Sequence, residues 1–380
     1  SILDGATQSL DPGYGIAGSA AQGIPLSKLP RGRPDAGFRY PILPCRDGFV
    51  RRCILAPRQW QGMFEWMGQP EEFSDPSFND IRVRFKSQTL LPAIAKLFAD
   101  KTRAQLISEC QELGVPIAEI LSLEEAIQSE QTVARRALAT VELSSGERIT
   151  LPNGVLEFDG QRAGIQGALP SLGENTEEVL SNLKNNDQVI STTNETEHDY
   201  PLKGLRVLDL GVIVVGAEQG RLLGDYGAEV IKIESFAFPD GGRQSLDGSP
   251  MNASVAAGHR NKRSLGLNLR EEKGKELFSK LLEHCDVLLT NFKPGTLEKL
   301  GFDQDTLLEI NPRLITLDSS AFGPTGPWAQ RLGYGPLVRA SAGMTNAWRY
   351  EDDESNFYDA MTVYPDHVAA RIGVIGVLSL

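Results

Sequence analysis

Residues 204–234, "GLRVLDLGVIVVGAEQGRLLGDYGAEVIKIE", decide the architecture. The stretch opens on a strongly apolar run that reads as a buried strand and its exit. "GAEQGRLLGDYG" (216–227) follows with helical spacing, and "AEVIKIE" (228–234) reads as a second strand. The alternation continues downstream. "EEKGKELFSKLLEHC" (271–285) is predicted helical, "DVLLTNF" (286–292) a strand, "TLEKLGFDQDTLLEINP" (296–312) helical and "LITLDSSAFG" (314–323) a strand. Strands separated by crossover helices are the pattern of a parallel sheet, so residues 201–380 are expected to form a Rossmann-like α/β domain.

The first strand-to-helix turn of such a sheet is the usual nucleotide site. Its glycines fall at Gly211, Gly216 and Gly220, which is not the GxGxxG spacing. Glu234 ends the second strand, where a nicotinamide enzyme holds its ribose, but the glycine spacing argues against that cofactor. Packing of helix on strand is the plainer role for these glycines.

Upstream the pattern differs. Residues 1–38 are rich in Gly, Pro, Ser and Ala and read as an irregular arm. "YPILPCRDGFVRRCIL" (40–55) sets Asp47-Gly48 between two apolar runs, a hairpin signal. "RQWQGMFEWMG" (58–68), "LLPAIAKLFAD" (90–100) and "RAQLISECQELG" (103–114) carry helical spacing, the last stopped by Gly114. "VPIAEIL" (115–121) reads as a strand, and Ser122 with Glu125 forms a capping box. Residues 39–165 are therefore expected to make a smaller α+β domain. The polar stretch 181–201 reads as a linker between the two domains.

The chain of 380 residues is 41% hydrophobic and 23% charged, with a formal net charge of −12. That composition fits a globular protein with a sizeable core. The acidic balance argues against general nucleic-acid binding. There is no apolar run long enough for a membrane span. The N-terminal residues lack the basic and apolar regions of a signal peptide. Four scattered cysteines (Cys45, Cys53, Cys110, Cys285) show no metal-ligand spacing, and their number suits a reducing, cytoplasmic setting.

Three stretches could carry chemistry. "GHRNKRS" (258–264) groups His259, Arg260, Lys262 and Arg263 before the strand-like "LGLNL". In an acidic chain this is either a solvated loop or a phosphate clamp. "TNFKPGTLEKLGF" (290–302) leaves a strand at Asn291 and Phe292, and ligands bind at the carboxyl ends of parallel strands. "TVYPDHVAAR" (362–371) places Asp366 before an apolar helical run, where its carboxylate is either a helix cap or a reagent.

These stretches occur in an order that resembles the N-terminal half of a class III CoA-transferase, the CaiB/BaiF family. The resemblance spans residues 201–380 and includes "NPRLITLDSSAFGPTGPWAQRLGYGPLVRASAGM" (311–344) and "YPDHVAARIGVIGVL" (364–378). The earlier domain is similar to the family's C-terminal half, through "CRDGFV" (45–50), "ELGVPIAEILSLEEAIQSEQTVARRA" (112–137) and the tail "LGENTEEVL" (172–180). The halves stand in reversed order, with 166–200 as the tail and linker. Together with the uncapped apolar run up to Leu380, this leads to the expectation of the middle of a tandem two-copy member; a circular permutation is the alternative.

The resemblance implies a transferase that moves CoA between an acyl-CoA and a small carboxylic acid, with no tightly bound cofactor and no metal. Asp366 is the implied nucleophile. Val212, Gly216, Lys262, Arg263, Asn291, Phe292, Lys299 and Tyr334 are implied to bind CoA, with Lys262 and Arg263 on its phosphates and Phe292 beside the adenine. A homo-oligomer or interlocked tandem assembly is implied as well. Two departures stand out. Val212 and Val214 replace polar residues found in formyl-CoA transferase, which argues against formyl or oxalyl groups. Tyr334 stands where the racemase branch has a catalytic histidine, and a phenol is a poor match for that base. A non-catalytic CoA-binding copy and a racemase-like enzyme remain as alternatives.

Overall fold

The computed structural model describes residues 40–143, 145–167, 170–185, 200–243, 253–353, 356–358 and 363–380. The expected arm, 1–38, lies outside them.

The first domain opens with the hairpin. Strands β1 (Ile42–Cys45) and β2 (Gly48–Arg52) pair antiparallel, and Gly48, at φ 146°, pairs with Cys45 across a turn at Arg46-Asp47. Strand β3 (Ile117–Glu119) adds antiparallel to β2. Helices α1 (Pro57–Trp66), α2 (Leu90–Ala99) and α3 (Arg103–Leu113) cover this sheet. Their apolar stripes meet β1–β3 in a core that includes Val50, Trp60, Met63, Ile94, Phe98 and Leu106. Gly114 ends α3 in the left-handed conformation that its sequence position predicts. Two small hairpins follow, β4 (Leu138–Glu142) with β5 (Arg148–Pro152) and β6 (Leu156–Phe158) with β7 (Gln161–Ala163).

The supposed linker begins later than its composition suggests. A helix runs over Thr176–Asn185, because Val179, Leu180 and Leu183 recur at helical spacing after two first-turn acids. The remainder of that linker, 186–199, lies outside the described residues.

The second domain holds five parallel strands: β8 (Arg206–Asp209), β9 (Glu229–Glu234), β10 (Lys262–Gly266), β11 (Val287–Thr290) and β12 (Ile315–Asp318). Their spatial order is β10-β9-β8-β11-β12, which makes the fold mixed α/β with a Rossmann-like sheet. The strand order reverses between β8 and β11, and the crevice above that reversal is where ligands enter such sheets. Alternate residues feed the two faces. Leu208 and Leu288 pack under α5 (Glu272–Leu282) through Phe278 and Leu282. Val207, Val230, Val287 and Leu289 pack under α4 (Val215–Asp225) and α7 (Tyr364–Leu378), through Leu223, Val374 and Val377.

Strand β10 includes Lys262 and Arg263 themselves and does not begin after them. The basic cluster thus enters the sheet at its amino end.

The two domains share a core. Cys53, Ala118 and Ile120 from the first domain close on Leu337 and Ala340 of α6 (Gly335–Ser341) and on Phe357. Polar contacts reinforce the joint. Gln59 Nε2 donates to the Tyr334 hydroxyl at 2.8 Å, and Arg331 reaches Glu119 at 3.1 Å. Gln131 Nε2 donates to the Phe322 carbonyl at 2.7 Å, and its Oε1 accepts from the Trp328 N–H at 2.8 Å.

Candidate active site

The joint leaves a cleft of about 1340 Å³ over the carboxyl ends of the parallel strands. One wall is the first domain, with Arg58 at the start of α1 and Val115 and Ile117 around β3. The other wall is the sheet, with Val212 after β8, and Phe292, Lys293 and Lys299 after β11. One chain therefore supplies both walls.

Among the cations that line this cleft, Arg58, Lys293 and Lys299 lie close to one another. Lys293 is held below the usual lysine range by burial and by the nearby Lys299 and Arg58. None of the three forms an ion pair among the described residues. Mutually repelling cations that no acid pairs make a site for a multiply charged anion. Arg58 and Lys293 escape a sequence reading for different reasons. Lys293 sits inside the "TNFKPG" motif, where its neighbours draw the eye, whereas Arg58 joins the site only through domain docking.

Asn291 does not point at the cleft. Its Oδ1 accepts from the Val212 N–H at 2.8 Å and its Nδ2 donates to the Val212 carbonyl at 2.9 Å. It thereby clamps the loop that leaves β8. Asp240 holds the next residue, accepting from the Ile213 N–H at 2.9 Å. Ile213 sits at φ 59°, a strained conformation for a β-branched residue, and these clamps maintain it. Gly216 lies within α4, and an ideal Cβ there would come 2.3 Å from the Gly211 Cα, so its role is close packing.

Lys262 and Arg263 do not reach the cleft. Lys262 Nζ is buried and bound to Asp209 Oδ2 at 2.7 Å and to the Ala217 carbonyl at 2.8 Å. Arg263 is exposed at the amino end of the sheet and pairs with Glu229 at 2.7 Å. His259 is half-buried beside Lys262, and partial burial with the two neighbouring lysines, Lys262 and Lys232, pushes its ring down to about 4. Glu234, at the ribose position of a nicotinamide site, is engaged by Arg243 at 2.6 Å.

Asp366 is not the cap of its helix. Val363 holds that position, and Asp366 stands in the first turn of α7 with its own N–H bound to the Val363 carbonyl at 2.9 Å. Its Oδ2 is buried and meets no hydrogen-bond partner among the described residues. Burial pushes the carboxyl up to about 6. The adjacent His367 ring and the N–H groups of Asp366 and Val215 oppose that rise, and Glu218 adds to it. Gly335, at the start of α6, lies so close that an ideal Cβ would come 2.0 Å from Asp366 Oδ2. Tyr334, the preceding residue, belongs to the domain joint, and burial pushes its phenol up to about 12. The loop 212–215 links cleft and carboxylate: Val212 lines the one, and the Val215 N–H faces the other. Leu332 and Gly335 do the same from the opposite side.

Among the described residues no cluster of His, Cys, Asp or Glu is placed to hold a metal ion, and no helix is long and apolar enough to cross a membrane.

The chain is 43% identical over 381 residues to a probable CoA-transferase, Rv1866, of Mycobacterium tuberculosis, covering 99% of the chain and 48% of that protein. It is 38% identical over 178 residues to the succinyl-CoA–D-citramalate CoA-transferase of Chloroflexus aurantiacus, covering 46% of the chain and 40% of that protein. A crystal structure of a CaiB/BaiF family protein from Brucella suis aligns with 48% of the chain and 49% of its own, at 34% identity and a TM-score of 0.43. The chain spans about half the length or less of these curated relatives. The sequence profile of CoA-transferase family III matches residues 3–176 and 202–380, nearly the whole chain, and the chain belongs to that family.

Proposed function

We propose that the protein transfers CoA from an acyl-CoA to a carboxylic acid through a covalent intermediate on Asp366. The observation that carries this is a buried carboxylate with an unpartnered oxygen, set one loop away from a cationic cleft. Arg58, Lys293 and Lys299 bind the phosphates of CoA, and Phe292 lies against its adenine. This assigns the phosphates to cations other than Lys262 and Arg263.

Asp366 Oδ attacks the thioester carbonyl, the C–S bond breaks, and a mixed anhydride and CoA thiolate result. The thiolate attacks the aspartyl carbonyl, which releases the acyl group as a carboxylate and leaves an aspartyl-CoA thioester. The incoming acid attacks that thioester, and the returning thiolate takes the new acyl group from the second anhydride. Amides at the first turn of α4 face the charge that develops on the carbonyl oxygen. Val212 and Val214 favour an apolar acyl group in this chain.

The succinyl-CoA–D-citramalate relative supports a carboxylic acid as acceptor. The roughly double length of the Mycobacterium relative supports a tandem assembly in which a second pair of half-copies interlocks with this one. A binding copy without turnover is the competing reading, and the two valines favour it. Incubation of the full-length protein with a panel of short acyl-CoAs and hydroxylamine separates the two. The expected product is a hydroxamate on the peptide that carries Asp366. No such modification across the panel, with CoA exchange undiminished in Asp366→Asn, overturns the proposal.

A further inference from the structure

The loop that leaves β8 is neither helix nor strand, yet its backbone groups are held one after another by side chains. The Gly211 N–H donates to Asp209 Oδ1 at 2.8 Å, and the Gly211 carbonyl accepts from Lys232 Nζ. Asn291 takes both polar groups of Val212, and Asp240 takes the Ile213 N–H. These side chains come from β8, from β9, from the exit of β11 and from the segment after β9. Asp209, Lys232 and Asp240 are buried. Burying charged side chains opposes folding unless their hydrogen bonds are met, and here they are met by one short loop.

Asp240 is the member of this set whose local role does not need the loop. Its Oδ1 also accepts from the Gly242 N–H at 2.8 Å, which closes its own turn, Gly241–Arg243. That turn would be capped without Ile213. Ile213 is nevertheless brought to the same oxygen, and its side chain lies against the turn: an ideal Cβ at Gly241 would come 3.2 Å from Ile213 Cδ1. Asp240 Oδ2 is buried without a hydrogen-bond partner among the described residues, 3.9 Å from both Lys232 Nζ and His259 Nε2. The hydrogen bonds that orient the carboxylate are thus those from Ile213 and Gly242. Ile213 in turn keeps a left-handed backbone, which a β-branched residue adopts only where its surroundings over-determine it. The chain direction set at Ile213 matters on both sides. Val212 before it lines the cleft, and Val215 after it opens α4 with its N–H toward Asp366.

We propose that Asp240 is a positioning residue for the transfer reaction: by holding Ile213 left-handed it fixes where Val212 meets the cleft and where the first amides of α4 meet Asp366, without touching the substrate. This rests on Asp366 being the nucleophile. Amides stabilise a developing charge only from a fixed distance, so a small shift of the loop lowers the rate of the chemical step. The cations Arg58, Lys293 and Lys299 stand on other elements, so the loop shift disturbs binding less than turnover.

The test separates position from charge in the full-length protein. Asp240→Glu keeps the charge beside Lys232 and His259 but moves the accepting oxygen by one methylene. Asp240→Asn keeps an accepting oxygen in place and removes the charge. With the short acyl-CoA that labels Asp366 most strongly, Asp240→Glu is expected to lower kcat about tenfold with KM changed less than about threefold, and Asp240→Asn to lower kcat less than about threefold. In an Ile213→Gly background, where the left-handed backbone carries no strain, the loss caused by Asp240→Glu is expected to shrink to less than about threefold. Wild-type kcat in Asp240→Glu, a larger loss in Asp240→Asn than in Asp240→Glu, or an undiminished loss in the glycine background overturns the proposal. If Asp240→Glu does not fold, a loss above about tenfold in Asp240→Asn does so. Crystal structures of the variants read the loop without substrate: Ile213 is expected to leave the left-handed region in Asp240→Glu and to keep it in Asp240→Asn, and an Ile213 that stays left-handed in both overturns the clamp. A wild type that transfers nothing across the acyl-CoA panel would instead remove the transferase reading, and the Ile213 conformation would still decide the clamp.

Discussion

Asp366 sits where its own charge is disfavoured. Its carboxyl is raised from an ordinary 3.8 to about 6, chiefly by burial. A folded-state value above the unfolded one stabilises the fold fully below the unfolded pKa, and that contribution is lost as pH rises through the folded pKa. Above pH 6 the fold must carry a buried charge that the unfolded chain hydrates freely. Two units correspond to about 3 kcal/mol. Asp366→Asn is therefore expected to melt higher than the wild type at pH 8, with the gain vanishing near pH 4, as followed by thermal denaturation across that range. At this scale the sequence announces the residue but not its setting. The motif "YPDH" marks Asp366, whereas the cap role that its position suggests belongs to Val363, and the burial that tunes it comes from α4 and α6.

Among elements, the parallel strands β8, β9, β11 and β12 are legible because each is a short, largely apolar run bounded by turn signals, whereas β10 starts on charged residues. The hairpins β4–β5 and β6–β7 are not, because they are half-exposed and carry no strong alternation. The basic stretch on β10 shows the same limit at the site. Charge is visible in "GHRNKRS", but depth is not, and Asp209 of β8 draws Lys262 inward to a buried ion pair. Removal of one partner of such a pair strands the other charge. Lys262→Met is expected to destabilise the sheet domain by roughly 3–5 kcal/mol, read as a lower urea midpoint. Where the variant remains folded, its affinity for CoA relative to dephospho-CoA is expected to match the wild type, which a phosphate clamp on Lys262 would not allow.

The whole molecule is organised around the joint between its domains. The two domains are each readable from periodicity, but their docking is not, since it depends on side chains more than a hundred residues apart, such as Gln59 with Tyr334. Docking brings Arg58 to Lys293 and Lys299. If these cations hold the phosphates of CoA, the ligand bridges the domains. Arg58→Gln is expected to weaken CoA binding about tenfold, the effect of one lost charge-assisted contact of roughly 1.5 kcal/mol. Calorimetric titration should show a smaller loss for pantetheine, which lacks phosphates. Equal losses for both would place Arg58 outside the phosphate site.

Gly335 turns the close approach over Asp366 into a diagnostic. Any side chain at that position would drive a carbon into the Asp366 carboxylate, so the carboxylate keeps its present seat only beside a glycine. A first-turn acid stabilises a helix wherever it stands, whereas a glycine costs helix stability, so the pairing of Asp366 with Gly335 answers to the space between α6 and α7 and not to either helix alone.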